Sequence, residues 1–169
     1  HPASMSKLMT LVMAFKALRS GRLKMEDEIV MSVNAWRNGG APSGTSAMMV
    51  PVGEKVTVSE LLQGIIVQSG NDASIAIAET LAGTEEAFAE LMTKHAREIG
   101  LTSSTFKNST GLYHPEHLMT ARDLALLAKH VIQEYPEFYP MFAQPDFRYR
   151  RHRFINRNPL LNADLGVDG

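Results

Sequence analysis

Residues 57–73 read TVSELLQGIIVQSGNDA, and this stretch carries the strongest structural signal in the chain. Thr57 and Glu60 form a capping-box pattern, which predicts that a helix begins here. The nearly continuous apolar run Leu61–Val67 predicts that this helix is buried on most sides and lies in the middle of the fold. The polar tetrapeptide Ser69–Asp72 then predicts a sharp break before a further helix.

Four other segments show helical periodicity. Apolar residues recur at i, i+3, i+4 and i+7 spacing from Ser4 to about Arg19, and Gly21 closes that helix. The Ala- and Ile-rich stretch Asn71–Leu81 predicts a second buried helix. Thr84 and Thr120 are predicted caps of two amphipathic helices further along.

The strand signals lie towards the two ends of the chain. Short candidates occur at Ile29–Ser32 and Glu54–Val56, within a Gly- and Pro-punctuated stretch, residues 22–57, that is predicted to be connection and not core. Alternation over Phe147–Phe154 predicts a hairpin. Together these patterns predict a helix-heavy, mixed α and β domain.

Composition sets limits on the class of protein. A chain of 169 residues is long enough for one domain with a core. Its 44% apolar and 21% charged residues exclude a disordered chain, and a net charge of −1 gives no basic field for nucleic acid. There is no cysteine, so neither disulfides nor thiolate metal sites can form. No run approaches the roughly 18 apolar residues of a membrane span.

Ser4-Met5-Ser6-Lys7 places a hydroxyl and an amine three residues apart, on one face of the first predicted helix. This pair is a candidate nucleophile and base. Lys7 must be neutral near pH 7 to accept a proton, which requires a pKa shift of about three units, or about 4 kcal/mol. A dry pocket and a second cation could supply that shift. The alternative is a serine that only caps the helix beside a solvated lysine.

Ser69-Gly70-Asn71 lies in the break between two apolar helices, where polar groups need a reason. A serine hydroxyl there could relay a proton to a leaving group, and an asparagine amide could orient a substrate carbonyl or the lysine. The alternative is that Ser69 or Asn71 caps the following helix while Gly70 permits the turn.

Taken together, these two elements resemble the first two active-site motifs of penicillin-binding proteins and serine β-lactamases. The similarity to the low-molecular-mass D-alanyl-D-alanine carboxypeptidases extends along most of the chain. It is carried by Pro2–Thr10, Leu61–Ala73, Asn108–Leu112 and Asn156–Leu161. The Glu-x-x-Leu-Asn segment of class A β-lactamases is absent from the sequence, which favours the carboxypeptidase branch.

The resemblance implies a DD-peptidase/β-lactamase-like fold, of which residues 1–169 form the helical lobe without much of the main antiparallel sheet. The family's Lys-Thr-Gly motif would follow shortly after Gly169. Because the chain starts at His1 without a methionine, we expect it to be part of a longer protein, a catalytic domain cut before that motif. Residues 1–169 alone are therefore expected to be inactive.

The implied function is penicillin-sensitive removal of the terminal D-alanine from peptidoglycan stem peptides ending in D-Ala-D-Ala, through an acyl-enzyme. Ser4 would be the nucleophile, Lys7 the general base, Ser69 a proton relay, and Asn71 would orient substrate or lysine. Ser46 and Arg157 are candidate substrate contacts. The family places the segment of Ser46 near the substrate groove and the segment of Arg157 near the floor of the active site. β-Lactams would be covalent inhibitors, no cofactor is implied, and the expected location is the bacterial periplasm, with a possible membrane anchor outside these residues.

Other interpretations remain open at this point. The chain could be a non-catalytic scaffold relative, or a cell-wall endopeptidase or esterase using the same nucleophile pair. His114-Pro115-Glu116-His117 invites a metal interpretation, but the proline and the loop spacing argue against it. The arginines of residues 148–157 could bind nucleic acid, although their two-residue alternation favours a hairpin with solvated side chains.

Overall fold

All five helices predicted from periodicity are present in the computed structural model of the chain, which describes residues 1–169. The helices are α1 (Lys7–Arg19), α2 (Val33–Gly39), α3 (Val58–Gln68), α4 (Asn71–Ala82), α5 (Glu85–Glu98) and α6 (Ala121–Glu134). The strands are β1 (Glu28–Val30), β2 (Lys55–Thr57), β3 (Asp146–Tyr149) and β4 (His152–Ile155). No helix combines the length and the apolar character that crossing a membrane requires.

Capping chemistry sets where the predicted helices begin. The Thr57 side chain accepts a hydrogen bond from the backbone N–H of Glu60, and the Glu60 carboxylate accepts from the N–H of Thr57, so the capping box is complete. Thr84 and Thr120 cap α5 and α6 in the same way, each accepting from the N–H three residues on. The helix starts were therefore readable from local sequence.

The central helix is α4, and not α3 as the apolar run suggested. Every residue of 71–78 is buried, whereas Ile66 and Gln68 on α3 are only half-buried. The reason is that α3 has one side, including Ile65 and Ile66, on an open cleft. Small alanines in α4 allow other helices to pack close on its remaining sides.

Residues 22–57 are more than the connection that their glycines and prolines predicted, and that prediction was wrong. Ser32 accepts a hydrogen bond from the N–H of Ala35 and begins an unpredicted helix, α2. Gly39 lies so close to the backbone of Asn71 that no side chain would fit there. The segment also contributes buried core side chains: Leu23, Met31, Ala35, Met48, Val50 and Val56.

The strands form two separate two-stranded antiparallel sheets, β1 with β2 and β3 with β4. The predicted hairpin is confirmed, with Phe147 opposite Phe154 on its buried face against α3. Its arginines are exposed, as the alternation indicated. Two of them form surface ion pairs, Arg150 with Glu54 and Arg153 with Asp146.

Candidate active site

The Ser4 hydroxyl and the Lys7 amine lie side by side at the start of α1. The predicted first helical turn is a tighter 3₁₀ segment, Ala3–Ser6, and α1 itself begins at Lys7. Ser4 is exposed, whereas Lys7 is only 3% exposed. Lys7 Nζ lies 3.2 Å from Ser4 Oγ and donates a second hydrogen bond, of 2.6 Å, to the carbonyl of Thr110.

The surroundings of Lys7 favour its neutral form. Burial is the larger cause and the positive charge of Arg157 the smaller one, and together they lower the pKa of the Lys7 amine to about 8. A dry pocket and a second cation are the two influences that the sequence analysis named as able to lower the lysine pKa, so that Lys7 could act as a general base. A solvated lysine beside a capping serine does not describe this site.

Ser69 occupies the break between α3 and α4 in a strained conformation. Its backbone is left-handed, with φ of 59°, which for a serine costs on the order of 1 kcal/mol. Its Oγ is buried without a hydrogen-bond partner in the chain. Residue Gly70 is the N-cap of α4 and no side chain caps that helix, so the capping role considered for Ser69 and Asn71 is not the one they have.

Asn71 links the start of α4 to the segment around Ser46. Its side-chain amide donates to Thr45 Oγ1 at 2.9 Å, and its backbone N–H donates to the Ser46 carbonyl at 2.8 Å. The Asn71 Oδ1 oxygen is buried and has no partner. Arg157 reaches the same segment, because its guanidinium donates to Ser46 Oγ at 3.2 Å.

Three of the predicted residues open onto one cleft of about 190 Å³ between α1 and α3. These are Ser4, Lys7 and Ser69. Its apolar lining is Met5, Leu8, Leu11, Ile65, Ile66 and Phe142. Asn71, Ser46 and Arg157 are not part of that lining but are connected with one another beside it. The residues that line the cleft thus provide an exposed hydroxyl, an amine of lowered pKa and a buried hydroxyl without a partner.

Comparison with known proteins identifies the family of this chain. Residues 1–169 match the D-alanyl-D-alanine carboxypeptidase family over the whole chain. The chain belongs to this family. The resemblance seen in the motifs is thereby confirmed.

Individual members of the family match nearly the whole of this chain. The chain spans only about half of the length of these relatives. D-alanyl-D-alanine carboxypeptidase DacC from Escherichia coli K12 is 41% identical over 170 residues, covering 99% of this chain and 42% of that protein. Penicillin binding protein 5 from Haemophilus influenzae superposes with a TM-score of 0.90 at 35% identity, over 95% of this chain and 46% of that one. Penicillin binding protein 6B from Escherichia coli gives 0.91 at 34% identity, over 97% and 52%. These structures confirm the mixed α and β, DD-peptidase-like fold class.

The sequence pattern assigned no role to Asp72, yet its side chain joins two segments of the candidate site. The side chain is fully buried, and its carboxylate accepts from the backbone N–H groups of Met48 at 2.8 Å, Val50 at 3.2 Å and Ala73 at 2.9 Å. Burial raises the pKa of Asp72, while those N–H donors act in the opposite direction. Asp72 therefore ties the segment that carries Ser46 to the start of α4.

We expect Asp72→Asn to destabilise the protein by about 2 kcal/mol or more, because an amide NH₂ would face a backbone N–H where an oxygen now accepts. Urea unfolding of the whole protein would measure the loss. Asp164→Asn, at an exposed position where the carboxylate has no hydrogen-bond partner, is the matched control and is expected to unfold like the parent. Equal stability of the two variants would contradict the role of Asp72.

The turn Asn108–Leu112 packs against the segment that carries Ser4 and Lys7. Thr10 Oγ1 donates to the Ser109 carbonyl at 2.8 Å, next to the Lys7 contact with Thr110. Gly111 has φ of 84° and lies against the Ala3 carbonyl, so no side chain would fit there. The sequence signal for this turn was its place among the family-like segments, which gave it no role.

His114 and His117, which were considered as metal ligands, make hydrogen bonds within the protein. The Nδ1 atom of His114 accepts from the N–H of Glu116, and both ring nitrogens of His117 have partners inside the protein. No group of three or more His, Asp and Glu side chains comes together in a way that could hold a metal ion.

Proposed function

We propose that the whole protein is a serine D-alanyl-D-alanine carboxypeptidase that removes the terminal D-alanine of peptidoglycan stem peptides through an acyl-enzyme. The observation that carries this proposal is the Ser4–Lys7 pair, with 3.2 Å between hydroxyl and amine and a lysine pKa lowered to about 8. Membership of a family whose members carry this activity in their names supports it.

In the proposed acylation, Ser4 Oγ attacks the carbonyl carbon between the two terminal D-alanines, and its proton passes to Lys7 Nζ. The N–H of Ser4 lies in the first turn of the 3₁₀ segment, where backbone N–H groups lack helical acceptors, and would stabilise the oxyanion. Collapse breaks the C–N bond. Ser69 helps to pass the proton held on Lys7 Nζ to the departing amine, which leaves as free D-alanine while Lys7 becomes neutral again.

Deacylation completes the proposed cycle. A water molecule attacks the Ser4 ester, the stem peptide leaves with a new carboxylate, and the hydroxyl of Ser4 is restored. Asn71 would orient the substrate carbonyl or Lys7, and Ser46 and Arg157 would lie along the peptide. The buried, unpartnered Ser69 Oγ and Asn71 Oδ1 support a role that the chain's own contacts do not use.

The second oxyanion donor and the carboxylate-binding group are proposed to come from the Lys-Thr-Gly strand, which residues 1–169 do not contain. Loss of one such donor lowers kcat by about 10²–10³. We therefore predict that residues 1–169 form a partial catalytic domain that is inactive alone.

β-Lactams are the proposed covalent inhibitors, because similar solved structures are named penicillin binding proteins. An acylated Ser4 would result from opening of the lactam ring by the same attack. The proposed location is the bacterial periplasm, at the peptidoglycan, with any membrane anchor outside these residues.

The deciding experiment is the intact mass of the whole protein after benzylpenicillin treatment, with peptide mapping, beside an assay of D-alanine release. A stable adduct on Ser4 together with free D-alanine supports the proposal. An unmodified, folded protein would favour a scaffold relative. Cleavage of cross-linked dimers or simple esters in preference to D-alanine release would favour the endopeptidase or esterase.

The Lys7 pKa makes acylation depend on pH. Because only neutral Lys7 accepts the proton, the acylation rate is expected to rise with pH through a midpoint near the lysine pKa, about 8. Arg157→Gln removes a cation that lowers this pKa, so the midpoint should move to higher pH and the rate at pH 7 should fall roughly twofold or more. Stopped-flow acylation by a fluorescent penicillin from pH 6 to about 10 would measure both.

Two control variants separate charge from contact. Ser46→Ala removes the partner of Arg157 but keeps its charge, and Arg151→Gln removes an exposed hairpin cation. Neither should move the midpoint. A midpoint that moves equally in Ser46→Ala and Arg157→Gln would assign the effect to positioning and not to charge.

A further inference from the structure

A buried chain of hydrogen bonds runs from the loop after α5 to the residue just before the nucleophile. The backbone N–H of Lys107 lies 3.0 Å from Nδ1 of His117. The other ring nitrogen, Nε2, lies 2.8 Å from Ser6 Oγ, and Ser6 Oγ donates at 2.9 Å to the carbonyl of Ala3. Both His117 and Ser6 are buried, at 2% and 0% exposure.

The direction of each bond in this chain follows from its first donor. A backbone N–H can only donate, so His117 Nδ1 must accept from Lys107 and carries no proton. A neutral imidazole then has its proton on Nε2, which donates to Ser6 Oγ. The Ser6 hydroxyl has its own proton left for the Ala3 carbonyl, so every group is used once and in a consistent direction.

This series of hydrogen bonds ends at Ala3, where the backbone is strained. Ala3 has a left-handed conformation, with φ of 53°, which an L-alanine rarely adopts. Its carbonyl is fixed by Ser6 on one side and lies against Gly111 on the other. The conformation of Ala3 sets the direction in which the next residue, Ser4, leaves the backbone.

We propose that His117 is a positioning residue which, through Ser6 and the Ala3 carbonyl, holds the strained turn that aims Ser4 Oγ at Lys7 Nζ. This inference rests on the proposed function, since it deepens the account of the same nucleophile. His117 touches neither Ser4 nor the cleft, and acts only through Ser6.

The surroundings of His117 keep its ring neutral, and this fixes the direction of each hydrogen bond in the series. Burial, the largest cause, lowers the pKa of His117 to about 4, and the nearby imidazole of His114 acts in the same direction. The imidazole is therefore neutral at any pH above about 5. A protonated ring would place an N–H at Nδ1 against the N–H of Lys107, and the link would be lost.

Two substitutions of His117 separate its two nitrogens. His117→Asn places an amide oxygen near the Nδ1 position, where it can accept from Lys107, but leaves nothing to reach Ser6. His117→Gln places an amide NH₂ near the Nε2 position, where it can donate to Ser6 Oγ. We expect His117→Asn to lower the benzylpenicillin acylation rate constant of the whole protein roughly tenfold or more, and His117→Gln to recover most of it.

A double-mutant cycle tests the path through Ser6. Ser6→Ala alone should lower the acylation rate about as much as His117→Asn, and the double variant should lose little more, because both changes break the same chain. The noncovalent affinity of the antibiotic before acylation should stay within about twofold, since the cleft lining is unchanged. His114→Asn, outside the chain, should acylate like the parent.

The readouts distinguish positioning from simple support of the fold. All rates are measured well below each variant's melting temperature, with the folded fraction checked by circular dichroism. Equal rates for His117→Asn and the parent, no advantage of His117→Gln, or multiplying losses in the cycle would overturn the inference. If the parent itself forms no Ser4 adduct, the proposed function fails instead, and the two failures are distinct.

Discussion

Ser4→Ala is expected to abolish both the penicillin adduct and the release of D-alanine, with a fall in rate of at least about 10⁴-fold. Removal of a nucleophile that acts as a unit with its base leaves only the contribution of binding and of oxyanion donors. Ser4 Oγ, the proposed nucleophilic oxygen, lies 3.2 Å from Lys7 Nζ. Neither Ser6 nor Ser69 replaces it, because Ser6 is committed to Ala3 and Ser69 lies on a different helix end.

The measurement is the intact mass after benzylpenicillin together with a D-alanine assay on the whole protein. Because Ser4 is exposed and its hydroxyl has no hydrogen-bond partner other than Lys7, the folded stability should hardly change. Ser20→Ala, at the exposed end of α1, is the matched control and should keep full activity. A normal adduct in Ser4→Ala would move the nucleophile elsewhere and refute the proposed mechanism.

Lys7→Met is expected to lower the acylation rate by about 10²–10⁴-fold, the usual contribution of a positioned general base. Methionine fills nearly the same space in the buried site but cannot take the Ser4 proton. The hydrogen bond to the Thr110 carbonyl is also lost, and that carbonyl then has one partner fewer. Lys7→Arg should be about as slow, because a guanidinium keeps its proton at any accessible pH.

The pH profile makes this prediction specific. The rise in rate with a midpoint near 8 should disappear from both Lys7 variants, because the group that titrates there is gone. Lys94→Met, at an exposed position on α5, should keep the profile of the parent. A Lys7→Met protein that kept the same pH-dependent limb would show that another group accepts the proton.

The helix starts were predictable because the information is local. Thr57, Thr84 and Thr120 cap helices through atoms three residues away, and apolar spacing within about two turns defines each face. Helix α2 was not predictable on the same grounds. Its last residues, Asn38 and Gly39, resemble a turn, and the helix exists because Gly39 can pack against the backbone at the start of α4.

The candidate site also has features that local sequence predicted and features that it did not predict. Ser4 and Lys7 are three residues apart, so their pairing followed from helical geometry once a helix was predicted. Thr45, Asp72 and Thr110 had no such signal, because each acts on a partner that is 22 or more residues away. His117 stood out only as one of several His and Glu residues close together at 114–117, where the proline and the loop spacing argued against a metal site. In the structure its ring is hydrogen-bonded to Lys107 and Ser6.

By itself, the sequence predicted five of the six helices and the family, and it proposed Ser4 and Lys7 as nucleophile and base, because capping, periodicity and motifs depend on residues close together in the chain. Only the tertiary structure decided that Lys7 is dry and lies within the field of Arg157, that Ser69 and Asn71 hold buried atoms without partners, and that α4 is the central helix. These properties depend on which distant surfaces exclude water from one another. Desolvation and hydrogen-bond pairing arise between segments, and no spacing along the chain specifies them.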